Sequence, residues 1–324
     1  MTTFPGCATD TEPLGLGTWA WGDRATWGMG GYDADIDERT ITEAWEASLA
    51  AGVTLIDTAE VYGKGESERI IGRLLARDPS VRDRLVLATK FMPAPQKLNV
   101  RGAMRDALRA SIDRMGVERV DLYQIHGPIS LRSKAALGDA LAAVVEEGLT
   151  NAVGVSNYSG REVRSIHGHL AKSGVPLASN QIEYSLLRTV PETGGLLAAH
   201  EELDVVTLAY SPIGQGRLTG KYSAANPPPG KRGFSAHPME LVDPVVAELR
   251  RIGEAHDGRT PSQVALRWII EKGAVPIPGA KNAEQAAQNA GALGWTLSSG
   301  DVAALDAVAL GGTRSFQNRF WQHG

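Results

Sequence analysis

Four residues of types that transfer protons stand just past short apolar runs in this 324-residue sequence: Asp57, Tyr62, Lys90 and His126. A lysine ammonium beside a phenol stabilises the phenolate, and an aspartate beyond the lysine keeps that ammonium charged and oriented. A histidine within about 3 Å of the phenol oxygen can share or relay its proton. Such residues donate a proton to an oxygen on which negative charge develops, which fits a carbonyl that accepts a hydride. Without a nucleophilic Ser or Cys beside a base, acyl transfer fits poorly, and the hydride must come from a bound nicotinamide.

The elements that must position these residues are short apolar segments that alternate with longer amphipathic ones. The short segments are typical of buried parallel strands and cover residues 14–16, 53–56, 85–88, 120–125, 152–155, 178–181, 205–208 and 274–277. The amphipathic segments predict helices and include residues 37–51, 66–76, 100–115, 133–146, 159–171 and 298–310. This alternation, with no change of composition between the two halves, predicts an α/β fold: one closed (β/α)8 TIM barrel.

In a barrel, the residues just past the carboxyl ends of the strands face one common mouth. The four polar residues would therefore meet there, although singly each could be an ordinary buried ion pair or a core histidine. The alternative, an open doubly wound sheet, would place a G-x-G-x-x-G turn after its first strand. The segment that contains Gly15 and Gly17 lacks the third glycine, so the sequence favours the barrel with one site at its mouth.

Composition narrows the class of partner. The net charge of -4, with 43% apolar and 22% charged residues, is normal for a soluble globular enzyme and predicts neither nucleic acid nor an anionic membrane as a partner. The lone Cys7 cannot form a disulfide within the chain, and residues 1–13 contain no apolar signal region. We therefore expect a cytoplasmic protein. We expect no metal site, since His167 and His169 would face different sides of a helix.

Several motifs resemble those of the aldo-keto reductase family. They are AGVTLIDTAEVYGKGESERIIGRLL (51–75), LATK (87–90), VDLYQIH (120–126), GVSNY (154–158), NQIEYSL (180–186), AYSPIGQGRLTGKY (209–222) and IPGAKNAEQAAQN (277–289). The resemblance covers about residues 14–310. It implies one barrel over residues 1–324 that reduces an aldehyde or ketone to an alcohol, with a hydride from NADPH and a proton from Tyr62. It also implies a catalytic tetrad of Asp57, Tyr62, Lys90 and His126.

The resemblance further implies how an extended NADPH lies across the barrel mouth. Near the nicotinamide it implies contacts from Thr18, Trp19, Asp57, Ser156, Asn157, Gln181 and the ring of Tyr210. For the diphosphate and adenosine ends it implies Ser211, Pro212, Ile213, Gly214, Lys221, Gly279, Lys281, Gln285, Gln288 and Asn289. Gln288 stands where many family members carry Glu. Lys281 is a point charge suited to a 2′-phosphate, so NADPH is favoured over NADH.

Three segments outside the regular pattern would shape the substrate site. The aromatic segment with Trp19, Trp21, Trp27, Met29 and Tyr32 would wall a pocket or stabilise the barrel rim. The Pro-rich insertion 223–240 is predicted to lack regular structure. We expect it to fold over NADPH with Lys231 and Arg232 toward the cofactor, and the alternative is a solvent-exposed excursion with no role. The tail 311–324, like the N-terminal extension 1–13, lies outside the repeating pattern, and it carries Phe316, Phe320 and Trp321.

Two other functions remain open from the sequence. Barrels of this family also serve as cofactor-binding subunits of potassium channels, and metal-dependent sugar isomerases share the barrel architecture. The second would require clustered acidic and histidine ligands, whereas only one acidic residue stands among the best candidates. We expect the substrate to be a small-molecule carbonyl compound, and the aromatic residues favour aryl aldehydes, pyridoxal-like rings, or cyclic and steroid-sized ketones over short sugars. The oligomeric state is left open.

Overall fold

The computed structural model describes residues 1–22, 36–94, 97–229, 233–313 and 320–324. Within them, eight parallel strands pair in sequential order. They are β1 (Gly15–Gly17), β2 (Leu55–Asp57), β3 (Val86–Phe91), β4 (Val120–Ile125), β5 (Thr150–Ser156), β6 (Leu177–Glu183), β7 (Val206–Tyr210) and β8 (Val275–Pro276). The Gly17 amide donates to the Pro278 carbonyl at 2.9 Å, and Gly17 pairs with Gly279, which joins β1 to the segment that follows β8. The predicted (β/α)8 barrel is confirmed.

Helices follow the strands around the barrel. They are α1 (Trp19–Gly22), α2 (Glu38–Ala50), α3 (Glu66–Arg77), α4 (Val100–Met115), α5 (Lys134–Glu146), α6 (Gly160–Leu170), α7 (Val190–Thr193), α8 (Leu196–Glu202), α9 (Met239–Ala255), α10 (Pro261–Glu271), α11 (Ala283–Ala290) and α12 (Ser299–Val308). Short 3-10 segments cover Tyr62–Gly65, Pro79–Arg84, Ala171–Ser173 and Gly214–Thr219.

The prediction that 223–240 lacks regular structure is wrong at its end. Helix α9 starts at Met239 because Pro238 stands at the N-cap, where a missing amide hydrogen breaks no helical bond.

Six of the eight strands run further toward their carboxyl ends than the sequence predicted, whereas β4 ends where predicted and β8 ends one residue earlier. Asp57 is the last residue of β2 and Lys90 lies inside β3, so neither residue stands past its strand. The apolar pattern stops where inward-facing positions become polar, but the backbone pairing continues: Asp57 pairs with Ala88, and Lys90 pairs with Gln124. His126 does follow its strand directly. The mouth is therefore built largely on strand residues.

The core has two parts. One lies between the strands and the surrounding helices, and the other fills the barrel interior with inward-facing residues such as Leu55, Leu122 and Leu208. Phe4 of the N-terminal segment belongs to the interior cluster and is fully buried. Thr2 pairs with Thr11 in an antiparallel bridge, so this segment folds back on itself.

Two features are absent from the described residues. No helix there is long and apolar enough to cross a membrane. In the same ranges, no group of three or more His, Cys, Asp or Glu side chains is placed to hold a metal ion.

Candidate active site

A buried ion pair stands at the centre of the barrel mouth. Lys90 Nζ lies 2.6 Å from Asp57 Oδ2 and also donates to the Thr58 carbonyl at 2.9 Å. The side chains of Lys90 and Asp57 are 0% and 3% exposed. Burial lowers the pKa of Lys90 below its usual range, while the carboxylates of Asp57 and Glu68 oppose that shift. The lysine is thus a desolvated ammonium whose charge depends on its carboxylate partner.

Tyr62 and His126 stand beside this pair. Lys90 Nζ donates to Tyr62 Oη at 3.4 Å and lies 5.1 Å from the centre of the Tyr62 ring. The Tyr62 and His126 rings meet edge to face, with 5.6 Å between their centres. The structure therefore brings all four predicted tetrad residues together.

The His126 imidazole is neutral near pH 7. Desolvation by the surrounding protein and repulsion from the Lys90 ammonium lower the pKa of His126 well below its usual range. Its buried Nδ1 has no hydrogen-bond partner among the described residues. A neutral imidazole can donate one N–H to a substrate oxygen without holding a second proton.

Two glutamine side chains donate to the second carboxylate oxygen of Asp57. Gln181 Nε2 donates to Asp57 Oδ1 at 2.8 Å, and Gln124 Nε2 approaches the same oxygen at 3.5 Å. Ser179 Oγ in turn donates to Gln124 Oε1 at 3.2 Å. The sequence reasoning missed Gln124, although its position as an inward-facing polar residue of β4, two before His126, was a signal.

The residues expected near a nicotinamide form a connected set. Tyr210 Oη donates to Asn157 Oδ1 at 2.9 Å, and Asn157 Nδ2 donates to Ser156 Oγ at 3.2 Å. Ser156 Oγ donates to the backbone carbonyl of Gln181 at 2.8 Å. Asn157 has a φ of 62°, a left-handed conformation that asparagine tolerates better than most residues. Amide and hydroxyl groups beside a flat aromatic ring suit a nicotinamide carboxamide.

The remaining expected cofactor residues lie along the rim. Thr18 is fully buried, and its hydroxyl donates to the Asp57 carbonyl at 2.9 Å and lies 2.7 Å from Ser67 Oγ. The Trp19 ring meets the Phe234 ring edge-on at 6.1 Å. Contact of Thr18 with a cofactor stays a prediction, because its described bonds are all internal.

The segment after β7 bends through left-handed positions at Ser211 and Gly214, with φ of 50° and 58°. Pro212 and Gly214 are buried, while Ser211 and Ile213 are half-buried between β7 and the 3-10 segment. Lys221 is exposed beyond them, and its Nζ lies 5.8 Å from the centre of the Tyr222 ring.

The residues expected at the adenosine end cluster around the start of α11. The Lys281 amide donates to Gln285 Oε1 at 3.1 Å, and Asn289 Nδ2 donates to the Gly279 carbonyl at 3.1 Å. Gln288 Oε1 accepts from Thr260 Oγ1 at 3.3 Å, so this side chain contacts the N-cap of α10. The structure brings these residues together, and their contact with a cofactor remains a prediction.

Two segments remote in sequence complete the mouth. The Phe234 ring lies edge-on to Tyr210, with 5.4 Å between ring centres. The Trp321 ring lies 6.4 Å from His126, and a Cβ at Gly127 would overlap the indole. Trp27, Met29, Tyr32, Lys231, Arg232 and Phe316, which the sequence analysis singled out, lie outside the described residues.

Glu183 and Gln322 are buried at the same mouth, and the sequence reasoning missed both. Glu183 lies inside the quoted NQIEYSL motif, which was a usable signal. Gln322 belongs to no pattern in the sequence.

A barrel with a Lys–Asp–Tyr–His group at its mouth defines a class of carbonyl-reducing oxidoreductases, and comparison with known proteins agrees. The model of the Aldo/keto reductase family matches residues 13–310. The chain belongs to the aldo/keto reductase family.

Relatives and solved structures extend the comparison. The chain is 36% identical over 322 residues to the chloroplastic pyridoxal reductase of Arabidopsis thaliana, covering 96% of this chain and 87% of that protein. It is similar to the structure of a glycerol dehydrogenase from Gluconobacter oxydans, with a TM-score of 0.80, 29% identity and 97% of each chain covered. A Klebsiella pneumoniae aldo-keto reductase in complex with NADPH gives a TM-score of 0.73 at 25% identity, again with 97% of each chain covered.

Proposed function

We propose that this protein reduces an aldehyde or ketone to an alcohol with NADPH, and that Tyr62 donates the proton. The observation that carries the proposal is the buried Asp57–Lys90 pair, whose ammonium donates to Tyr62 Oη at 3.4 Å. The NADPH complex of the Klebsiella pneumoniae relative supports the choice of cofactor. When bound, the cofactor supplies the hydride.

The side chains divide the work of proton transfer. As the carbonyl oxygen gains negative charge, Tyr62 gives it a proton. The Lys90 ammonium then stabilises the phenolate left behind, because it is desolvated and close. Asp57 keeps Lys90 charged and oriented. The neutral His126 imidazole can donate an N–H to the same carbonyl oxygen and so hold it near Tyr62.

The substrate we favour is a planar aromatic aldehyde, such as pyridoxal. Trp321 lies against His126, and Trp19 and Phe234 stand on the side of Tyr210. These flat apolar faces would bind an aromatic ring and exclude water from the reacting carbonyl. The 36% identity to a pyridoxal reductase supports the same class.

Replacing the proposed acid tests the function. Tyr62→Phe should lower kcat for pyridoxal or benzaldehyde by at least about 100-fold, since general acid catalysis contributes 10²–10⁴. The Kd for NADPH should change little, because Tyr62 is assigned to the carbonyl. Steady-state and single-turnover rates of NADPH oxidation measure the effect.

Tyr184→Phe is the matched control. It also removes a buried tyrosine hydroxyl, but one that donates to Glu192 rather than to a tetrad residue, so kcat should be unchanged. Near-normal kcat for Tyr62→Phe in single turnover would refute the acid assignment. Tight NADPH binding by the wild type without turnover of any aldehyde or ketone would instead favour a cofactor-binding subunit.

A further inference from the structure

The end of the chain lies directly on the barrel mouth. Trp321 faces His126, and the His323 amide donates to the Asn157 carbonyl at 3.2 Å. His323 Nδ1 lies 3.0 Å from Glu162 Oε2, and an Arg188 guanidinium N–H donates to the Gly324 carbonyl. Segment 320–324 is thus attached to loops beyond three different strands.

Gln322 is the buried member of this segment, with 6% of its surface exposed. Its Nε2 donates to Tyr210 Oη at 3.0 Å and also to the carboxyl group of Glu183. Glu183 is 1% exposed and accepts a second hydrogen bond, from Ser235 Oγ at 2.6 Å. Because a buried carboxyl group is costly without donors, Glu183 fixes the Gln322 amide in one orientation.

The Tyr210 hydroxyl is hydrogen-bonded to two side chains, Asn157 and Gln322. Tyr210 Oη donates to Asn157 Oδ1 and accepts from Gln322. Burial raises the pKa of Tyr210, so the phenol keeps its proton and remains a donor. A ring whose hydroxyl is held at both lone pair and hydrogen cannot tilt or shift its oxygen without breaking a bond. The position of the Tyr210 ring face is therefore set in part by Gln322.

We infer that Gln322 is a positioning residue of the proposed nicotinamide site: held by Glu183, it fixes Tyr210 against Asn157, so that this buried residue of the tail completes the support of the surface on which the nicotinamide ring lies. The inference rests on the proposed function, which assigns Tyr210 and Asn157 to the nicotinamide. It extends the role of the tail from walling the substrate to holding the cofactor. Gln322 acts through Tyr210 and touches no reacting atom in this assignment.

Two ligands separate positioning from a general structural role. One is NADPH, and the other is 2′-phospho-ADP-ribose, which is NADPH without its nicotinamide. Gln322→Met keeps an unbranched side chain of similar length but removes both N–H donors. It should raise the Kd for NADPH by about 3- to 10-fold, because a Tyr210 ring that is no longer fixed in the free protein must be ordered when the cofactor binds. The Kd for 2′-phospho-ADP-ribose should stay within about twofold, because that ligand does not reach Tyr210.

Two further variants keep the test decisive. Gln322→Glu has nearly the same shape but places a second carboxyl group beside Glu183, so its loss of NADPH affinity should be at least as large. Phe320→Ala alters an exposed side chain of the same segment and should bind both ligands as the wild type does. Quenching of tryptophan fluorescence, at a temperature where circular dichroism shows all variants folded, gives the Kd values.

Equal weakening of both ligands by Gln322→Met and Gln322→Glu would overturn the inference and leave Gln322 a purely structural residue. Unchanged NADPH affinity in both variants would also overturn it. Failure of the wild type to bind NADPH would refute the proposed function itself, which is a separate result.

Discussion

At the residue scale, the Asp57–Lys90 pair links burial to chemistry. Two charges withdrawn from water lose most of their hydration energy. Their mutual attraction offsets that loss only when the geometry is good. Here the aspartate uses both oxygens, one for Lys90 and one for Gln181 and Gln124. An apolar pair could stabilise the barrel equally well, so the retained charges are best explained by the proton transfer proposed for Tyr62.

Lys281 tests the other end of the proposed cofactor site. Lys281→Ala should weaken NADPH binding by about 1.5–3 kcal/mol, the scale of a charge-assisted contact, while NADH binding changes little. Fluorescence titration of the two cofactors measures the difference. Lys172→Ala, which removes an exposed lysine between α6 and β6, is the control and should leave both affinities unchanged. Equal losses of NADPH and NADH affinity would show that Lys281 does not distinguish the 2′-phosphate.

The sequence predicts that a residue belongs to the site where a repeating element places that residue, and not elsewhere. Lys90 and His126 could be assigned from sequence because parallel strands deliver their ends to one mouth. Gln322 could not, since its role depends on a contact with Tyr210 across 112 positions of sequence. The sequence shows Trp321 as an aromatic residue of the tail, but its packing against Gly127 depends on how the tail folds back. Such long-range contacts leave no local pattern.

At the scale of elements, the main errors of the sequence-based prediction were the ends of the strands. The main feature that the structure adds is the packing of the insertion 223–240. Six strand ends were predicted too early, and at β2 the reason is that a polar inward position, Asp57, ends the apolar pattern but not the pairing. In the insertion, the Phe234 amide donates to Gln215 Oε1 at 3.2 Å, and Arg217 donates to the Phe234 carbonyl at 3.1 Å. Ser235 binds Glu183. Residues 233–238 are thus packed on the mouth, where the predicted lid would lie.

If residues 233–238 close over NADPH, the hydrogen bond from Ser235 to Glu183 holds the closed segment on the barrel. Ser235→Ala should speed NADPH release several-fold, since it removes a 2.6 Å hydrogen bond to the buried Glu183 carboxyl group. Stopped-flow displacement of NADPH by excess NADP+ measures the rate. Ser223→Ala, at the other end of the same insertion, should release NADPH at the wild-type rate. An unchanged rate for Ser235→Ala would show that this contact does not limit release.

At the scale of the whole molecule, segments from the two ends of the sequence pack on the barrel. Residues 321 and 322 contact side chains at the mouth, and the N-terminal segment places Phe4 in the interior cluster with Leu55, Val86 and Leu122. The sequence indicated only an extension at residues 1–13, because one phenylalanine among polar residues shows no periodicity. The alternation of strands and helices, by contrast, was long enough to predict the barrel.

Phe4 should therefore contribute to global stability without contributing to catalysis. The ring is 0% exposed, so Phe4→Ala should lower the free energy of unfolding by about 3–5 kcal/mol through lost burial and a residual cavity. Urea unfolding followed by tryptophan fluorescence measures the loss, and Phe4→Leu, which refills most of the volume, should lose less. Because Phe4 belongs to the interior cluster and has no assigned contact with the tetrad or the cofactor, kcat/KM for pyridoxal below the unfolding transition should stay within about twofold. A loss under about 1 kcal/mol for Phe4→Ala would mean that the barrel interior is closed adequately without this ring.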